Sequence, residues 1–157
     1  MFIVAARARA TELGVDDKVS FVHGDAAGFV ASEPADIASC IDATWIGGGI
    51  PGTVELLRQS LRPAGMMLIG EPYWRQEPPD QATVEGCHAA SKDDFLPLPD
   101  LIERFSDLGC DIVEMVLASQ DSWAGSRPSA RTGSLTWCRP RFVTTRSTTR
   151  STWPACG

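Results

Sequence analysis

Short apolar runs alternating with segments of helical period constrain this chain more than any other feature. The runs are VSFVHG (19–24), ADIASCID (35–42), GMMLIG (65–70) and DIVEMVLAS (111–119). Runs of this length, largely apolar, suit strands buried inside a parallel sheet. Between them, FIVAARARATELGV (2–15) is rich in alanine, keeps Phe2, Ala5, Ala6 and Leu13 near one side, and stops at Gly14. IPGTVELLRQSLRPAG (50–65) places Val54, Leu57 and Leu61 on one stripe and ends at Pro63 and Gly65. LPDLIERFSDLGC (98–110) turns Leu101, Ile102, Phe105 and Leu108 to one side. Helical stripes with these stop signals, set between strand-like runs, predict an α/β layered domain with a mostly parallel sheet.

Size and charge narrow the function. At 157 residues and 43% apolar content the chain can bury one domain-sized core. A net charge of −6 and a pI near 4.8 provide no positive field for a phosphate backbone, so no nucleic-acid partner is expected. The apolar runs are far too short to cross a bilayer and no basic region precedes a cleavable apolar run, so a cytoplasmic protein without a membrane partner is expected. The 5 cysteines stand at scattered spacings without a C-x-x-C pair, and the 2 histidines have no second ligand at metal spacing. Free thiols in a reducing compartment, structural or exposed histidines and no metal site are expected.

The charge average conceals a break. All 20 acidic residues lie at or before Asp121, and residues 122–157 carry arginine as their only charged type. That stretch mixes Arg, Ser, Thr and Pro, shows no sustained period and never builds an apolar face. The expected organisation is therefore a domain at 1–121 and a tail at 122–157 that is disordered or the product of a frameshift near DSWAG. A nucleic-acid arm is the rival reading, against which the sparse spacing of the arginines counts.

In open α/β sheets, ligands sit outside the C-terminal ends of the strands. The strand exits here are Gly24 and Asp25, residues 42–49, and residues 71–74. Asp25 could accept a ligand's hydrogen bonds or cap the turn AAGFVA. The glycines at 47–49 lack a phosphate-loop continuation and read as a flexible loop before the helix begun by Pro51. Tyr73 and Trp74 could floor an organic substrate or pack beneath the long connection that runs to Leu98, which is a candidate lid, binding segment or disordered stretch.

FVHGDA, ADIASCIDATWIGGG and LLRQSLRPAGMMLIGEPYW together resemble the third, fourth and fifth strand regions of class I S-adenosylmethionine-dependent methyltransferases, over about residues 1–120. LRPAGMMLIGEP is similar to that family's L-x-P-G-G turn feeding the fifth strand, with Ala64 where the first glycine stands, a change that a turn without positive φ accepts. The resemblance implies S-adenosylmethionine as cofactor and methyl transfer to an unidentified, small-molecule acceptor by in-line transfer in a closed site. It maps cofactor contacts onto Gly24, Asp25, Ala26, Ile41, Asp42, Ala43 and Thr44. It maps the acceptor side onto Trp45, Gly47, Gly48, Glu71, Tyr73 and Trp74, with Glu71 as a candidate base.

Measured against that family, the glycine-rich loop and the ribose-binding acid should precede the helix at 2–14, and neither is present. The resemblance therefore implies an N-terminally truncated chain and an incomplete Rossmann-like, doubly wound sheet. In the family's strand order, 3-2-1-4-5-7-6, the strands at 19–24 and 111–118 would lose their neighbours, leaving only the pair at 36–42 and 66–70 intact. Instability, self-association, or pairing with a complementing chain through unpaired strand edges follows as an expectation. A non-catalytic interaction module or half of a split enzyme is the alternative function.

Overall fold

A computed structural model of the chain describes residues 2–117 and 131–140. In chain order its elements are α1 (Phe2–Glu12), β1 (Ala35–Ile41), a 3-10 turn (Thr44–Gly47), α2 (Ile50–Gln59), β2 (Leu61–Trp74), α3 (Gln81–Gly86), a second 3-10 turn (Lys92–Asp94), α4 (Leu98–Asp107), β3 (Cys110–Leu117) and β4 (Arg131–Pro140). The sheet order is β1-β2-β4-β3. β1 is parallel to β2, and β4 runs antiparallel to both β2 and β3, so β1, β2 and β3 share one direction. This is the expected mixed α/β, mostly parallel architecture.

β2 organises the core. Met67, Ile69 and Tyr73 alternate along it and are buried, as period 2 requires of residues on one face. Cys40 lies opposite Ile69 and Cys138 opposite Met67. Ile50 and Val54 of α2, with Leu101 and Phe105 of α4, join the same cluster. Both helices carry Pro at their first turn, where its missing N–H is not needed. Each large side chain in this cluster contributes about 1.5–3 kcal/mol relative to exposure.

β4 corrects the reading of residues 122–157 as a tail without strands. It pairs along its length with β2, from Met67↔Cys138 to Trp74↔Arg131, and with β3, from Cys110↔Pro140 to Leu117↔Ser134. The predicted gap between the strands at 66–70 and 111–118 is filled, and the order reproduces the 4-5-7-6 portion of the family's sheet. RTGSLTWCRP shows no strand period because what fixes it is backbone pairing on two sides, and strand preference depends heavily on context. The proposed frameshift site at DSWAG and the rest of the tail lie outside the described residues.

The segment 19–24 is a second correction. It forms no strand, and Val22 is 70% exposed. A strand satisfies its backbone only laterally, so an apolar run without a neighbouring strand does not become one. α1 forms as expected, but its apolar side does not pack: Phe2 is exposed and Ala10 is its one buried residue. The Arg9–Glu12 ion pair at 2.7 Å is exposed and contributes only a few tenths of a kcal/mol.

The connection after β2 carries a helix, a 3-10 turn and a core of its own. Trp74, Val84, Cys87 and Ala89 form a second small core, with Phe95 against it at 5.1 Å from the Trp74 ring. Asp80 caps α3, its Oδ1 accepting from Thr83 N at 2.8 Å and Thr83 Oγ1 at 2.7 Å. These bonds favour the ionised carboxylate and lower its pKa.

The turn before the buried part of β2 also departs from expectation, because Ala64 has φ of 66°. An L-residue there carries a cost of about 1–2 kcal/mol that glycine avoids. Ala64→Gly is expected to stabilise the fold by about 1 kcal/mol, after glycine's greater unfolded-state entropy is set against that relief. Urea denaturation measures it: the midpoint rises, whereas an unchanged midpoint would show that the turn is not strained.

Candidate functional site

Two cavities lie at the exits of β1 and β2. The first, about 600 Å³, runs the length of β1 from Ala35 to Ile41. Thr53, Leu56 and Leu57 of α2 contribute to its lining, as do Ser20, Val22, Phe29 and Ala31 from the connection before β1. At its C-terminal mouth, Gly24, Asp25 and Ala26 come together with Ile41, Ala43 and Gly47. The second, about 750 Å³, is lined by Asp42, Thr44, Trp45, Gly48, Glu71, Phe95 and Arg104, among others.

The residues 41–44 are thus divided between the two spaces. Ile41 and Ala43 line the first, Asp42 and Thr44 the second. The split arises where the chain leaves β1, through the turn at Asp42 into the 3-10 turn that begins at Thr44. Asp42 makes the turn with φ of 52°, a left-handed conformation that Asp tolerates better than most residues. Thr44 is buried, and its carbonyl accepts from Thr53 Oγ1 at 2.9 Å, which ties the 3-10 turn to α2.

Asp25 is exposed at the rim of the first cavity. Its Oδ1 accepts the N–H of Ala27 at 2.9 Å, so the local turn-forming role holds. A carboxylate has about four lone-pair sites, and the same side chain retains capacity for a ligand donor.

Glu71 is 8% exposed within β2, just past the last residue paired with β1, and lines the second cavity. The half-buried Cys40 thiol has a raised pKa, chiefly through burial, with the Glu71 carboxylate adding to it and a backbone hydrogen bond from Ala43 opposing it. Trp45 is 76% exposed at this cavity. Asp94, another lining carboxylate, is committed locally, its Oδ2 accepting from Ala90 N at 2.7 Å and Ser91 N at 3.2 Å.

Tyr73 and Trp74 do not line either cavity. Tyr73 belongs to the main core, and Trp74 to the small one, donating from Nε1 to the Lys92 carbonyl at 2.6 Å. Both rings pack beneath the connection, and Trp74 also lines a separate cavity of about 450 Å³ with Arg75, Lys92 and Phe95, because β2 continues along β4 to Trp74 after its pairing with β1 ends at Gly70.

The glycines are geometric rather than flexible. Gly48 and Gly49 have φ of 76° and 103°, and a Cβ on Gly47 would stand 2.5 Å from Thr53 N. Gly52, absent from the residues singled out by sequence, lies in the first turn of α2 against the Gly47 carbonyl, where a Cβ has no room. The available signal was a glycine inside a helix, where nearly every other residue is more favourable.

A last strand inserted antiparallel between two earlier ones, with cavities at the strand tips, defines a Rossmann-like sheet of the methyltransferase type. The chain superposes on a methyltransferase from Geobacter sulfurreducens in complex with S-adenosyl-L-homocysteine, with TM-score 0.81 and 42% identity over 87% of this chain and 70% of that one. A methyltransferase from Thiobacillus denitrificans, also in complex with S-adenosyl-L-homocysteine, matches with TM-score 0.79 and 38% identity over 87% and 70%. The uncharacterised Escherichia coli protein YjhP is 55% identical over 123 residues, 78% of this chain and 50% of the relative. Its X-ray structure superposes with TM-score 0.82 and 39% identity over 89% and 73%, a longer span at lower identity. No family model matches the sequence. The chain belongs to the S-adenosylmethionine-dependent methyltransferases, and it spans half the length of the curated relative it matches. Among the described residues no helix is long and apolar enough to cross a membrane.

Proposed function

We propose that the chain holds S-adenosylmethionine at the C-terminal mouth of the β1 cavity and methylates a small molecule taken into the neighbouring cavity. The observation that carries this reading is the convergence of Gly24, Asp25 and Ala26 with Ile41 and Ala43, two separate stretches of sequence, around one mouth. The residues fit the cofactor. The cavity has the volume of a small-molecule site, its walls are mostly aliphatic, and its rim carries a carboxylate, the acceptor type that suits an adenine amino donor. When bound, the cofactor supplies an electrophilic methyl group on a sulfonium.

The protein's own part is positioning. Asp25 orients the base, Ile41 and Ala43 exclude water from one side, and Asp42 and Thr44 form the partition between cofactor and acceptor. Trp45 and Gly48 shape the acceptor side, and Glu71 is the carboxylate able to take a proton from an acceptor that must lose one.

Calorimetric titration with S-adenosylmethionine tests this. Asp25→Ala is expected to weaken binding by about 10–100-fold, the loss of a hydrogen bond to a charged acceptor. Asp25→Asn, which keeps the turn, is expected to fall between. Equal affinity in all three proteins, or no binding by the unaltered chain, overturns the assignment.

A second reading rests on a different observation. Among the described residues β1 pairs only with β2, its outer edge borders the first cavity, and Ile37 and Ile41 are 53% and 49% exposed there. An added strand would satisfy that edge, as a strand-complementing partner or a second copy would supply. Light scattering distinguishes the readings: a monomer that binds the cofactor supports the first, and an assembly required for binding supports the second.

A further inference from the structure

Two thiols meet inside the sheet, away from both cavities. Cys110 opens β3 and Cys138 lies near the end of β4, with Cys110 paired to Pro140 and Ile112 to Cys138. The two cysteines are therefore diagonal neighbours on one face of an antiparallel pair. They are 1% and 0% exposed, and both are reduced. Sheet twist shortens one diagonal of such a pair, and here the Cys138 and Cys110 thiols are in hydrogen-bonding contact.

We propose that Cys110 and Cys138 form a redox modification site, a thiol pair that closes to an intramolecular disulfide and pins the last strand of the sheet to its neighbour. The oxidant is a small disulfide such as oxidised glutathione. One cysteine, as thiolate, attacks it, giving a mixed disulfide and releasing one small thiol. The second cysteine attacks that mixed disulfide, forming the Cys110–Cys138 bond and releasing the other small thiol. The protein gives up two protons and two electrons, and the oxidant becomes two thiols.

The surroundings set the rate. Contact with the Cys110 thiol and burial together hold Cys138 far above the ordinary thiol range, with Arg58 only partly opposing them. The thiolate therefore forms when the end of the β3–β4 ladder opens, which makes closure slow and, once made, shielded from reductant. Cys40 is half-buried on the edge strand and Cys87 is buried in the small core, so neither shares this arrangement.

The test uses the whole chain under native conditions with excess oxidised glutathione, followed by acid quenching, alkylation, non-reducing digestion and mass spectrometry. The expected product is a peptide containing Cys110 joined to one containing Cys138, two hydrogens lighter than the reduced pair. The oxidised protein is expected to melt roughly 10 °C higher, a gain that a reductant cancels. Cys138→Ser is expected to lose that gain and to leave a glutathione adduct on Cys110. Alkylation of both thiols after prolonged oxidation, or linkage of either to Cys40, Cys87 or Cys156, overturns the proposal. The peptide map of the unaltered chain decides it even where the serine variant does not fold.

Discussion

Thr136→Pro is expected to abolish cooperative unfolding. Thr136 pairs with Ile69 on one side and Met115 on the other, in the middle of the one strand that joins β3 to the rest of the sheet. Proline there removes a backbone donor and forces its ring into a central ladder, at a cost of about 3 kcal/mol or more against a native stability of about 5–15 kcal/mol. The loss does not stay local, since α4 packs on both β3 and β2 and Leu101 and Phe105 are fully buried between them. Calorimetry and limited proteolysis are the measurements. The variant is expected to show a broadened transition and early cleavage around β3, while Thr136→Val, which keeps the donor and a β-branched side chain, melts like the unaltered protein. A sharp, unshifted transition in the proline variant would mean that residues 131–140 do not occupy the centre of the sheet.

Gly52→Ala is expected to be the most damaging of the glycine substitutions. A Cβ at that position collides with the Gly47 carbonyl, a backbone atom that cannot swing aside as a side chain would. Relief requires the 3-10 turn and the first turn of α2 to separate, at about 2–3 kcal/mol. Separation also strains the Thr53 to Thr44 hydrogen bond and displaces Asp42, Thr44, Trp45 and Gly47, the residues between the two cavities. The expected result is a melting temperature lower by roughly 5–10 °C and a more than tenfold loss of S-adenosylmethionine affinity. Gly86→Ala provides the contrast, because a Cβ there meets nothing, and it is expected to change stability by less than about 1 kcal/mol. Similar behaviour of the two variants would remove the close approach of the turn to α2 from the account of the site.

Much of the site can be read in sequence because strand exits carry it. Apolar runs locate β1 and β2, and the residues at their ends, Ile41 to Thr44 after the first run and Glu71 after the second, fall at the cavities without further information. Which cavity each residue reaches is not legible, since it depends on the left-handed turn at Asp42 and the 3-10 turn that follows it. Tyr73 and Trp74 illustrate the same limit. Whether an aromatic ring past an acid is free depends on where pairing stops, and β4 extends pairing as far as Trp74. Gly52 escaped notice because its constraint comes from a carbonyl five residues earlier, across a turn whose shape is not encoded by any one residue.

The sequence by itself determined α1, α2 and α4, the two parallel strands and the family likeness, because local period, capping residues and stop signals are properties of neighbouring residues. It did not show α3, and it carried α2 to Leu61 although the helix ends at Gln59 and Leu61 opens β2. It also marked Asp25 as the acid at the rim. Tertiary structure alone decided that VSFVHG is not a strand and that RTGSLTWCRP is one, since a strand exists only through the backbone groups beside it. The first has no partner strand among the described residues. The second stands between two.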